Sequence, residues 1–265
     1  MKKIDMLAAE LTVRYGVIKR ARGCFLYTQK GTRLTDLYQE GGKAILGWGG
    51  GAAFTVFKNV LNRGVTGSFD TGFTPRIAKA VSELLCSPRI VYVYTDKRTA
   101  LESALSVCPD STSFWKPWSQ GDIDWRLIRA VIVEPPLPWA GALFFMALSA
   151  GAVPEKARLA LPSSERIAAP LAAAAVRSVY DMIAALQARE EKDWFCYDTV
   201  LTDYWTRRGP YLYPKVPVEH YDAFILHCLE CGLVISPDYD MPSIVPYGAD
   251  KGVFATLQHT PFVAG

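Results

Sequence analysis

Five consecutive polar residues, Thr95-Asp96-Lys97-Arg98-Thr99, follow the β-branched and aromatic run Ile90–Tyr94. Such a run reads as a strand buried on both faces, and residues 99–107 then read as a helix. A helix start offers unpaired backbone N–H groups and the positive end of the helix dipole, which is the chemistry of anion capture. Lys97 and Arg98 add charge, and a guanidinium suits bidentate contact with phosphate. The same residues equally fit a helix start in which Asp96 is the N-cap and both cations are solvated. A further carboxylate, Glu134, ends the apolar run 130–133 and precedes Pro135 and Pro136. Were the two runs neighbouring parallel strands, Thr95 to Arg98 and Glu134 would share the crevice at their C-terminal ends, where α/β folds bind ligands. The alternative is a proline-turned strand end with Glu134 satisfied at the sheet edge.

Other candidate chemistry is weaker. Cys228 and Cys231 have the spacing of a redox pair or half a zinc site. Redox pairs gain reactive thiolates at a helix N-terminus, whereas these cysteines precede Gly232 at a predicted helix end. Zinc would need two more ligands, for which His220, His227 and Cys196 are the candidates; packing of small thiols in the core is the simpler reading. His220, His227 and His259 share no spacing with a serine motif, so nucleophilic hydrolysis has no support. No metal is expected.

These residues need a scaffold. Of 265 residues, 50% are hydrophobic and 21% charged, an ordinary globular balance. A net charge of +3 with scattered basic residues argues against a nucleic-acid partner. Six cysteines are too few for a disulfide framework in a chain of this length. The N-terminal residues lack a signal-peptide pattern, and the uncharged stretch Pro135–Pro154 reads as a buried strand with its loops rather than a membrane span. The expected location is cytoplasmic.

Helices are expected at 5–14, 52–61, 74–85, 99–107, 167–189 and 218–230, with hairpins over 17–45 and a glycine break at Gly47–Gly51. Strands are expected at 90–94, 130–133, 142–148 and 233–235. Their alternation with helices predicts an α/β fold with a mostly parallel sheet. The division follows as 1–60, an N-terminal hairpin and linker; 61–190, an α/β core; and 191–265, a small α+β lobe.

Three landmarks carry a family resemblance. Arg20, Ala21, Gly23, Phe25, Leu26, Gly31, Arg33 and Asp36 keep the spacing of an N-terminal hairpin, followed by Ile45-Leu46-Gly47, where Trp48 replaces a histidine. Residues 130–135 read AVIVEP, and Gly232 to Pro237 reads GLVISP. In this order they resemble the class III pyridoxal-phosphate-dependent aminotransferases, most of all the glutamate-1-semialdehyde aminomutase branch. The resemblance implies a shortened aspartate-aminotransferase-like fold. It also implies a phosphate cup at Thr95, Asp96, Lys97, Arg98 and Thr99, with Lys97 and Arg98 in place of the cup's glycine and threonine, and Glu134 beside the cofactor.

The family also has an aspartate-bearing strand and a lysine turn between the second landmark and the third. Pyridoxal phosphate needs a Schiff-base lysine and an acidic partner for its ring nitrogen. Neither is found here. Between Pro138 and Trp194, Lys156 and Lys192 are the lysines available and neither follows a Ser/Gly turn, while Pro138 to Ala142 is similar to the segment just beyond the family lysine. The resemblance thus implies excision of the catalytic middle: no cofactor as an internal aldimine, catalytic residues unknown and no transamination. A small anionic ligand could persist between Thr95–Thr99 and Glu134. An active pyridoxal-phosphate enzyme with relocated residues and a structural or interaction subunit are the alternatives. The partner implied by the family is a second copy, through the segment 47–61.

Overall fold

The computed structural model describes residues 3–49, 51–65, 69, 71–119, 123–151 and 153–263. In chain order the elements begin with α1 (Lys3–Tyr15), β1 (Ile18–Arg22), β2 (Phe25–Thr28) and β3 (Arg33–Asp36). They continue with α2 (Gly51–Asn62), α3 (Phe73–Leu84), β4 (Arg89–Tyr94), α4 (Lys97–Val107) and β5 (Thr112–Phe114). Next come β6 (Ala130–Val133), β7 (Phe144–Ser149), α5 (Glu155–Leu159), α6 (Ala169–Ala188), α7 (Lys192–Phe195) and α8 (Asp198–Tyr204). The chain ends with β8 (Trp205–Arg208), β9 (Tyr211–Pro214), α9 (Tyr221–Glu230), β10 (Leu233–Val234), β11 (Ser243–Ile244) and α10 (Ala255–His259). Gly50, inside the expected glycine break, and Ala152, inside the apolar stretch 135–154, lie outside the described residues.

By its internal contacts the chain forms two units, one of residues 1–49, 118–120 and 189–265, the other of 50–117 and 121–188. The N-terminal hairpin therefore belongs with the C-terminal residues rather than standing alone. In that first unit β1, β2 and β3 form an antiparallel meander, and β10 pairs parallel to β3. A second, antiparallel sheet has the order β11-β9-β8. Their core contains Leu34, Leu37, Trp194, Trp205, Phe224 and Leu229, and α1 contributes Leu7 and Leu11.

The second unit is an α/β layer. Its sheet has the order β4-β7-β6-β5, and β6 is buried along its whole length. The α/β class is as expected, but the mostly parallel sheet is not: only β5 and β6 run parallel, while β7 runs against both β4 and β6. Connection length explains this. Residues 115–129 give β5 and β6 the long crossover a parallel pair requires, whereas the shorter segment 134–143 suits an antiparallel return. Helix α6 has the length and apolarity of a membrane span, yet 50% of that stretch is buried within the protein.

Candidate functional site

The strand-to-helix turn after β4 places each expected residue, and each meets a partner from the chain itself. Asp96 has extended backbone and caps α4: its carboxylate accepts from Thr99 N at 2.6 Å and from Thr99 Oγ1 at 2.8 Å. These bonds hold the Asp96 carboxyl below the ordinary aspartate range. One residue earlier, Thr95 donates its hydroxyl to Glu165 Oε2 at 2.6 Å and its backbone N–H to Glu165 Oε1 at 3.3 Å. Arg98 pairs with Glu102 at 2.6 Å, one helical turn on, and Lys97 Nζ lies 5.0 Å from the centroid of the Phe114 ring.

Glu165 is brought there by an extended segment that covers the outer edge of β4. Pro162 O accepts from Tyr94 Oη, Ser164 Oγ accepts from Val93 N, and Glu165 N donates to Val93 O. An edge strand offers unpaired backbone groups, and this strap satisfies those of Val93. The turn's donors therefore face two internal carboxylates, Asp96 and Glu165. That is the capped arrangement, and an added anion would meet like charge there.

Glu134 is half-buried at the end of β6. β4 and β6 point the same way, so Thr95 and Glu134 do reach one end of the sheet. They are not on neighbouring strands, as expected, because β7 lies between them: Tyr94 pairs with Phe144 and Val133 with Phe145. Two strand spacings put the two strand ends roughly 10 Å apart, with buried Phe144 between them.

Among the described residues every lysine is exposed except Lys43, which is half-buried and 3.9 Å from Glu40. Lys156 stands exposed on α5, and Lys192 pairs with Glu190 at 2.9 Å. The segment 130–149, which forms β6, β7 and the connection between them, contains neither lysine nor aspartate. Cys228 and Cys231 are both buried, and burial pushes both thiols up. Among the described residues no cluster of three His, Cys, Asp or Glu side chains could hold a metal ion.

Sequence reasoning missed the most deeply buried carboxylate among the described residues. Asp36, at the end of β3, is fully buried and accepts from Tyr38 N, Gln39 N and the Trp48 indole. The following turn has positive φ at Gln39, Glu40, Gly41 and Gly42 in succession. The signal was present in the motif that matched Asp36 and in the tryptophan that broke it.

No protein-family model matches the chain. An uncharacterized protein of Treponema pallidum (strain Nichols) is 26% identical over 92% of this chain and 93% of that relative. One of Borreliella burgdorferi is 27% identical over 89% of this chain and 86% of the relative. Among solved structures, an ornithine aminotransferase of Plasmodium yoelii aligns with TM-score 0.65 at 13% identity, over 98% of this chain and 97% of its own. N-acetylornithine aminotransferase of Stenotrophomonas maltophilia K279a gives 0.65 at 13%, covering 96% of each chain. The ornithine aminotransferase of Toxoplasma gondii, whose structure has partial occupancy of pyridoxal phosphate at its active site, gives 0.68 at 12% over 91% and 88%. The chain thus has the fold of the pyridoxal-phosphate-dependent aminotransferases.

Proposed function

We propose that this protein keeps the aminotransferase fold as a scaffold and does not carry out transamination. One observation carries the reading: β6 returns directly into β7 through a segment with neither lysine nor aspartate. The residues present do not fit pyridoxal phosphate. A Schiff-base lysine is activated by a desolvated pocket or a neighbouring cation, and no described lysine is buried. At the helix start the Asp96 carboxylate occupies the cap, and Lys97 stands where the resemblance puts a glycine. The expected small anion at Thr95–Thr99 and Glu134 is accordingly not part of this reading.

Titration with pyridoxal phosphate tests it. The scaffold reading expects only weak, unsaturable absorbance changes from exposed lysines; a saturable one-to-one change would favour an active enzyme with relocated residues.

A second copy is the partner this reading favours. Phe54 and Leu61 on α2 are 44% and 48% exposed, and Phe54 and Phe57 flank Trp139 with ring centroids 6.0 and 5.1 Å away. This apolar face supports homodimer formation, and light scattering that shows a monomer across micromolar concentrations would contradict it. The six free cysteines support a reducing, cytoplasmic compartment.

A further inference from the structure

A groove of about 300 Å³ lies among α2, α3 and α6, a volume at the small end of ligand sites. Its floor is apolar: Val60 and Ala173 are buried there, with Val56 and Phe73 packed against them. Its rim is cationic, with Arg63 from the end of α2, Arg76 from the first turn of α3 and Arg177 from α6. Helical spacing makes this arrangement specific, since residues 56, 60 and 63 share one face of α2 and 173, 176, 177 and 180 share one face of α6.

The charges are not balanced within the groove. Arg177 is neutralised by Asp181 at 2.8 Å. Glu83, the other nearby acid, accepts from Tyr180 Oη at 3.1 Å. Among the described residues no carboxylate pairs with Arg63 or Arg76; the Arg76 guanidinium lies 5.3 Å from the centroid of the Phe73 ring. Two weakly hydrated, planar cations thus overhang an apolar floor. Guanidinium groups favour carboxylate and phosphate in bidentate geometry, and the floor adds binding energy only for a ligand with carbon surface to bury.

We propose that this groove binds a small organic anion, a phosphate or carboxylate joined to an apolar body of ring or short-acyl size. The inference does not rest on the scaffold reading, because none of these residues belongs to the β4–α4 turn.

Phenyl phosphate is a suitable probe for the full chain, followed by calorimetry and by backbone amide shifts. Saturable binding is expected, with shifts centred on α2, α3 and α6. The exposed pair Arg63→Gln/Arg76→Gln should weaken it by roughly tenfold or more, with an unchanged circular dichroism spectrum. Inorganic phosphate and benzyl alcohol should each bind at least roughly tenfold more weakly than the joined molecule. No saturable binding at millimolar concentration, equal binding by the double variant, or equal binding by either fragment would overturn the proposal.

Discussion

Trp48 donates its indole N–H to Asp36 Oδ2 across 2.6 Å, and the carboxylate that receives it is fully buried. Burial lifts the Asp36 carboxyl to about 6, against the opposing pull of the Gln39, Trp48 and Tyr38 donors. The raised value means that the native state binds a proton which the unfolded chain has already lost. Stability from this group therefore falls as pH rises from about 4 to about 6. Two pKa units correspond to about 3 kcal/mol. Urea unfolding of wild type and Asp36→Asn at pH 4 and pH 7 measures it. The stability of wild type relative to the variant should be greater at pH 4 by about that amount, and parallel profiles would refute the assignment.

Removing the donor gives a complementary result. Trp48→Phe leaves Asp36 without one of its three donors, at a cost of about 1.5–3 kcal/mol for a bond to a charged group. The cost should be larger at pH 7, where the carboxylate is ionised, than at pH 4. A loss independent of pH would assign Trp48 a packing role alone.

At the α4 start, Asp96→Ala removes the acceptor for both Thr99 donors. It should lower the melting temperature, while Asp96→Ser, itself a good N-cap, should recover most of the loss. Equal melting temperatures for all three proteins would show that the cap contributes nothing.

Gly209 has φ +56°, and a Cβ added there would stand 2.6 Å from the Trp118 carbonyl oxygen. Gly209→Ala meets a left-handed backbone cost of about 1–2 kcal/mol and forces the backbone apart as well. Denaturant unfolding should show a loss above that range, and a neutral substitution would exclude this close approach.

The cysteines should label in order of exposure. Cys86 is exposed, whereas Cys228 is fully buried and Cys24 is pushed up to about 11 by burial. Alkylation of the folded protein at neutral pH, read by mass spectrometry, should modify Cys86 first and Cys228 last.

What the sequence disclosed depended on the range of the interactions. The Asp96 cap was legible because its partner is three residues away, and the β2–β3 hairpin because its turn, with Gly31 at φ +83°, is local. Glu165 was not, since it reaches Thr95 from 70 residues away. Strand direction was hidden for a different reason. A run such as Phe144–Ser149 is apolar on both faces and carries no mark of which way it runs; only the segment 134–143 indicates a short return. The aromatic and proline-rich stretch 194–217 masked α8, β8 and β9, where helix passes into strand between Tyr204 and Trp205 without a loop.

The scaffold reading rests on the lysines, and reductive trapping tests them most directly. The protein would be incubated with pyridoxal phosphate, reduced with borohydride and mapped by peptide mass spectrometry. The account expects sparse, substoichiometric modification spread over exposed lysines. Stoichiometric labelling of a single lysine, Lys156 above all, would contradict it.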